Sequence, residues 1–352
     1  MFRDREMRIT LSAILIGIAS LVLASSAVAE SNSKRAVRIA GATYLGDLPT
    51  YVAEELGFFT ENALEATVQY NDSGKQNMAL LRAGDVDFAL MALTPFVLDR
   101  ITDPDPGQPD DPVILASLLQ SHELTALMAS HASGIESPAD LGGRRIALEP
   151  GTNTEFVWWL FVQFHGIDPS SVETIPIPFS ETSNAFLSGR VDAVVLPEPW
   201  ASRLEAQLEL MGRNPPHRFD TNSLYAGRWV VVTTQRHVLE RRDACRDVLK
   251  AYRQASEFIE RAPGNAISIY IRSLETPNSP VELRWEALDF DISLDWALIA
   301  SLREQFRWAR DVGIGNAGEP VRVLELLEPG PLHDGWPTAV KIPVAARGDR
   351  RP

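Results

Sequence analysis

Two stretches of the chain share one order of apolar and polar positions, "LLRAGDVDFALMALTPF" from Leu80 and "AFLSGRVDAVVLPEPWA" from Ala185. In each, an apolar helix end (Met78, Leu80, Leu81; Ala185, Phe186, Leu187) runs into Gly84 or Gly189. That is the place just past the last turn where a left-handed residue satisfies the orphan carbonyls. A Val-Asp step then leads into an unbroken apolar run, 88–93 or 193–196, of strand length. Pro95 or Pro199 follows, preceded by Thr94 or Glu198, and opens a second helical pattern, since proline suits the first helical position. Helix, glycine, buried strand and capped helix make one step of a parallel sheet, whose neighbours need helical crossovers. Using that step twice predicts two α/β domains of related design.

Elsewhere the pattern predicts strands over 37–42 and 65–69 and helices over 49–56 and 75–82. Residues 102–112, "TDPDPGQPDDP", carry too much Pro and Asp for regular structure. The apolar runs "VILASLL" and "LTALMAS" flank a polar break at 120–123, which reads as a crossing between domains, and "RWVVVTT" from Arg228 reads as the crossing back. Between them lie a strand from Arg145, a helix over 154–164 and the second repeated step; helices over 243–261, 266–272 and 294–310 and a short one near Val321 follow. The expected architecture is α/β, with a first domain over 36–121 and 236–345 and a second over 122–235. Each domain is a mainly parallel sheet flanked by helices, and a two-strand hinge joins them.

Length supports that division: 352 residues, 45% of them apolar, suffice for two cores. The first 29 residues belong to neither. Arg3, Arg5 and Arg8 precede an uncharged stretch from Ile9 that ends Ala27-Val28-Ala29, which reads as a secretory signal peptide cleaved after Ala29, with a retained anchor as the alternative. The chain's single cysteine, Cys245, rules out an intramolecular disulfide and a cysteine-based metal site. A net charge of -14 argues against nucleic acid, whose phosphates call for a basic face.

Two domains joined by two crossings imply a cleft, and ligands of such sheets bind beyond the carboxyl ends of the strands, where helices begin. Helix starts are expected at Asp47, Ser73, Thr94, Thr152 to Thr154, Ser180 and Glu198. Their free N–H groups and helix dipoles favour an anion or a strong acceptor. Each alone is also an ordinary cap, Thr152 with Glu155 forming a capping box. Catalytic motifs are wanting. "GIGNAG" at 313–318 follows a helix instead of a strand, the six histidines show no metal-ligand spacing, and no G-x-S-x-G elbow occurs. No cofactor is expected.

The segments "GATYLGDLPTYVAEELGFFTENALEATVQY", "AGDVDFALMALTP", "ADLGGRRIALEPGTNTEF" and "SGRVDAVVLPEPW" resemble periplasmic solute-binding proteins of the nitrate, sulfonate and taurine type. That family also holds receptors for pyrimidine precursors of thiamine. The resemblance covers 37–260 and implies the second type of periplasmic-binding-protein clamshell, a monomer that hands a small-molecule solute to the permease and ATPase subunits of an ABC importer. Carried over residue by residue, the ligand shell comprises Leu45, Gly46, Asp47, Ser73, Gly74, Leu93, Thr94, Ser121, His122, Gly151, Thr152, Asn153, Thr154, Glu198 and Trp200. Main-chain donors and hydroxyls suit a sulfonate, nitrate or carboxylate, which is the favoured class. Glu198, if it faces the cleft, suits an amine or a pyrimidine; if it caps its own helix, it does not bear on the ligand. The alternatives are a receptor for a pyrimidine or amine, a ligand sensor, and, more distantly, an enzyme resembling the yeast-type pyrimidine synthase, whose cysteine-rich iron stretch this chain lacks.

Overall fold

The computed structural model describes residues 34–103, 107–274, 287–315 and 321–344; the leader read at 1–29 lies outside them, as do 316–318 of "GIGNAG". In chain order the strands are β1 (Arg35–Ala42), β2 (Leu64–Asn71), β3 (Phe88–Ala92), β4 (Pro112–Ser121), β5 (Thr125–Ala129), β6 (Arg145–Leu148), β7 (Glu173–Pro176), β8 (Ala193–Pro197), β9 (His217–Phe219), β10 (Gly227–Thr234) and β11 (Leu288–Asp289). They form a six-stranded sheet, β11-β4-β10-β3-β1-β2, and a five-stranded sheet, β7-β6-β8-β5-β9. Both sheets follow one plan. A parallel trio (β2-β1-β3; β7-β6-β8) is followed by an antiparallel strand that has just arrived from the other domain (β10; β5), then by a strand antiparallel to that one (β4; β9).

The central strands are buried along their whole length, β3 in all but its last residue and β8 throughout. Helices cover both faces of a parallel sheet, so its strands read as continuous apolar runs instead of alternating ones. The repeated glycines behave alike: Gly84 and Gly189 both adopt a φ of 74°, each just past a helix end. The repeated aspartates do too. Asp87 Oδ2 accepts the Arg38 backbone N–H of β1 at 2.8 Å, and its Oδ1 meets Arg38 Nη2 at 2.9 Å. Asp192 Oδ2 accepts the Arg145 N–H of β6 at 2.9 Å, and its Oδ1 meets Arg145 Nη2 at 2.9 Å. Each Val-Asp step therefore pins the entry of one strand to its parallel neighbour, which is why the chain carries the pattern twice.

Most expected elements appear within a residue or two, including the helices Asn153–His165, Arg242–Arg261 and Trp296–Asp311. Three short strands were not anticipated, β7, β9 and β11, because two to four residues carry no readable period. The return crossing also needs correcting. Residues 228–233 were read as the crossing itself and the second domain as ending at 235, but β10 pairs with β3 and β4 over its length and belongs to the six-stranded sheet. The chain crosses back at 220–226, before β10 begins, and crosses out at 122–124, between β4 and β5. No helix among the described residues is long and apolar enough to span a membrane.

Candidate functional site

The ends of the strands from both sheets meet across a cleft that encloses about 530 Å³, mouth included. Its wall is assembled from short connections: Tyr44 and Gly46 after β1, Gly74 after β2, Thr152 to Thr154 after β6, Phe179 after β7 and Glu198 after β8. The outgoing crossing and the strand it enters add Leu124 and Thr125 on one side, and the first residues of β10, Gly227, Arg228 and Trp229, add to the other. A smaller cavity adjoins it, lined by Ser121, His122, Thr221 and Tyr225 and sharing Thr125 and Asn153.

Three rings shape the main cavity. Tyr44 meets Phe179 edge-on at 5.7 Å and Trp229 edge-on at 5.6 Å. Gly46 makes room for the indole, since a Cβ there would sit 2.8 Å from Trp229 ring atoms. Behind the indole stands Asp47, fully buried. Its Oδ1 accepts from Trp229 Nε1 at 3.3 Å and from Thr50 Oγ1 at 2.6 Å, and its Oδ2 accepts the Ala42 N–H at 2.6 Å. Burial pushes this carboxyl up to about 7. Tyr44 is 8% exposed; burial raises its phenol well above the usual range, and its Oη has no hydrogen-bond partner.

The helix Asn153–His165 points its start at the cavity. Thr152 caps it, Oγ1 accepting the Thr154 N–H at 3.4 Å and donating to Glu149 O at 2.7 Å, while Thr154 Oγ1 lies 2.9 Å from Thr152 Oγ1. The expected capping box is shifted by one residue, because Glu155 Oε2 accepts the N–H of Gly151 at 2.8 Å. Asn153 Nδ2 donates to Thr125 Oγ1 at 3.0 Å, tying the helix to the start of β5, and its Oδ1 is left without a partner.

Glu198 settles the question of its own role. Its Oε2 accepts from the Ser202 N–H at 3.1 Å and from Ser202 Oγ at 2.7 Å, and Oε1 accepts from Arg218 Nη2 at 3.2 Å. The carboxylate thus caps the helix Trp200–Leu210 and is balanced by a cation, and what it offers toward the first domain is its carbonyl, which accepts the Leu45 N–H at 3.2 Å.

Of the expected site residues, Gly46, Gly74, Thr152, Asn153, Thr154 and Glu198 reach the main cavity, and Ser121 and His122 reach the smaller one. The others stand back from the wall. Leu45, Asp47, Leu93 and Thr94 are buried in the first domain, Thr94 donating to Gln305 Oε1 at 2.8 Å. Ser73 precedes the helix Gly74–Ala83, Gly151 lies against the Lys75 side chain, and Trp200 packs under the Arg203 guanidinium. Near a strand end a side chain aims either into the cleft or back into its own domain, and one position of sequence separates the two: Gly46 lines the cavity, whereas Leu45 and Asp47 are buried behind it. Tyr44, Phe179, Arg228 and Trp229 were missed. The signal for Arg228 was a lone charge at the head of an apolar strand, "RWVVVTT". For Tyr44 and Phe179 it was an aromatic beside a helix start.

Comparison with known proteins follows the same lines. The family model described as NMT1/THI5 like matches residues 47–266. YtlA of Bacillus subtilis (strain 168) is 28% identical over 193 residues, 54% of this chain and 57% of that protein, so the chain spans little more than half the length of this curated relative. Among solved structures, the periplasmic aliphatic sulphonate binding protein SsuA of Escherichia coli superposes with a TM-score of 0.65 at 15% identity, over 84% of this chain and 98% of that one. The desulfurization enzyme DSZB superposes with a TM-score of 0.61 at 16% identity, over 86% of this chain and 98% of that one. A binding protein and an enzyme thus share this fold, which is of the periplasmic-binding type. The family match begins at the loop after β1 and runs through both sheets and both crossings, and the chain belongs to the NMT1/THI5-like family.

Proposed function

We propose that the protein is the solute-binding receptor of an ABC importer. It is exported to the periplasm, acts as a monomer and captures a small organic or inorganic anion between its domains for delivery to permease and ATPase subunits. The observation that carries the anion preference is the placement of Glu198. With its carboxylate engaged by Ser202 and Arg218, the acidic side chain that would have repelled an anion is directed into its own helix. The sulphonate-binding SsuA shares the fold, which agrees with that class of solute.

We read the protein as a binder without turnover, although DSZB is an enzyme. Among the described residues no group of three His, Cys, Asp or Glu is placed to hold a metal ion. The thiol of Cys245 is buried away from the cleft and pushed by burial up to about 12, which leaves it a poor nucleophile. A second reading, a pyrimidine or amine receptor, draws on Asn153 Oδ1, an acceptor without a donor.

A thermal-shift screen of sulfonates, nitrate, carboxylates, amines and pyrimidines tests the reading, since a solute bound only by the native state stabilises it by about 2.7 kcal/mol at a hundred times its Kd. An anion should give the largest shift and be recovered unaltered by mass spectrometry. Glu198→Gln should leave the ranking of solutes unchanged. A reversal of the ranking in that variant, or conversion of the solute by pure protein, would refute the reading.

A further inference from the structure

Arg228 opens β10, just where the chain has returned to the six-stranded sheet, and it is 3% exposed although it lines the main cavity. Its Nη2 donates to Gln120 Oε1 on the paired strand β4 and meets Asp295 Oδ2 at 3.3 Å. Its Nε has no partner. A guanidinium presents five donors in a fixed fork, and one left unpaired in a buried place costs free energy until something accepts from it. Tyr44, whose Oη is also buried and unpartnered, lines the same cavity. Much of the remaining wall is apolar: Phe179, Trp229, Leu124, Pro95 and Pro197.

We infer that Arg228 is the charge anchor of the site and that its ligand is an organic monoanion, an alkyl or aryl sulfonate or carboxylate whose apolar body lies against Tyr44, Phe179 and Trp229. The inference rests on the receptor reading above and narrows it. A bare nitrate would leave the rings wet, whereas a ligand site of this kind typically buries an apolar body and orients it by a few polar groups. A dianion would exceed the single guanidinium, part of whose charge Asp295 already balances. Asp295 also holds that guanidinium in place. Its Oδ1 accepts the Leu298 N–H at 2.7 Å as the cap of the helix Trp296–Asp311, which leaves Oδ2 for Arg228.

Titration calorimetry with methanesulfonate, benzenesulfonate, nitrate and the neutral benzenesulfonamide, on the full chain and on Arg228→Gln and Asp295→Asn, tests the assignment. Wild type should bind the two sulfonates and discriminate against nitrate and the sulfonamide. R228Q should lose about tenfold to a hundredfold in sulfonate affinity, the worth of a hydrogen bond to a charged group. D295N should gain about twofold to fivefold, because a partly exposed counter-charge is removed while asparagine still caps the helix. The opposite signs separate an anchor from a brace, and the D295N result decides alone if R228Q fails to fold. Equal affinity in R228Q, or a D295N loss matching that of R228Q, would overturn the assignment. Preference for the sulfonamide would do so while leaving the receptor reading intact; no binding of any solute to wild type, across this set and the wider screen, would overturn both.

Discussion

Asp47 stands in the core with hydrogen-bond donors around it but, among the described residues, no cation paired with it. The groups packed near it are the Thr50 hydroxyl, the Trp229 indole, the Tyr252 phenol beyond Thr50, and Glu54, whose charge adds to the effect of burial. An aspartate of the unfolded chain ionises near 3.9, and this one is raised to about 7. The folded state therefore holds the proton more tightly. Its contribution to stability is full below about pH 4, declines as pH rises toward 7 and is gone above that, a span on the order of 4 kcal/mol. Between pH 5 and pH 8 wild type should lose about 2–3 kcal/mol more than Asp47→Asn, whose side chain cannot ionise. The variant carries its own cost of about 1–3 kcal/mol, since its amide faces the Ala42 N–H, donor against donor. Urea unfolding of both proteins at the two pH values measures each quantity; parallel pH curves would mean that Asp47 does not titrate in this range.

At the scale of the element, the duplicated Gly-x-Val-Asp step is the clearest link from sequence to architecture. Arg145 holds the Asp192 carboxyl below its usual range chiefly through the side-chain hydrogen bond. A depressed carboxyl of this kind stabilises above its unfolded pKa, and that support is lost as pH falls through the folded value. Both arginines are well exposed, so the ion pairs themselves are screened, and the backbone N–H bonds matter more. Asp87→Ala and Asp192→Ala should each cost about 1 kcal/mol. The two sites lie in different sheets without shared partners, so the double variant should lose the sum. Chemical denaturation of the three variants checks this; a double variant no worse than one single would show that the two steps are not independent supports.

At the scale of the whole molecule, the domains touch directly across the cleft. Tyr44 packs on Phe179, the Leu45 N–H donates to Glu198 O, and Lys75 Nζ reaches Pro150 O at 3.5 Å. These contacts join loops that move apart if the crossings at 122–124 and 220–226 flex. A ligand touching both walls selects the arrangement in which both are close. Small-angle scattering should show a smaller radius of gyration with a bound solute. Phe179→Ala should weaken affinity and increase the radius of the unliganded protein, because it removes the Tyr44 contact that joins the two walls. A radius indifferent to both the solute and the variant would argue against hinge closure.

Sequence alone determined the longer elements and their kind. Apolar runs at Phe88 and Ala193, glycines at helix ends and the prolines after each strand are local features, and local backbone preferences decide them without reference to the rest of the chain. It also indicated the loops that line the cleft, because helix starts at strand ends are written in caps such as Thr152. What only the tertiary structure decided is the direction of each side chain at those ends. Glu198 is taken by Ser202 and Arg218, Asp47 is taken by Trp229 and Thr50, and the polar atoms left without a partner, Arg228 Nε, Tyr44 Oη and Asn153 Oδ1, belong to residues that line the cavity. The partners concerned lie up to 182 residues apart, as Asp47 and Trp229 do. No periodicity reaches across such a distance, and only the packing of two sheets against one cleft determines which polar atoms find partners and which are left for a ligand.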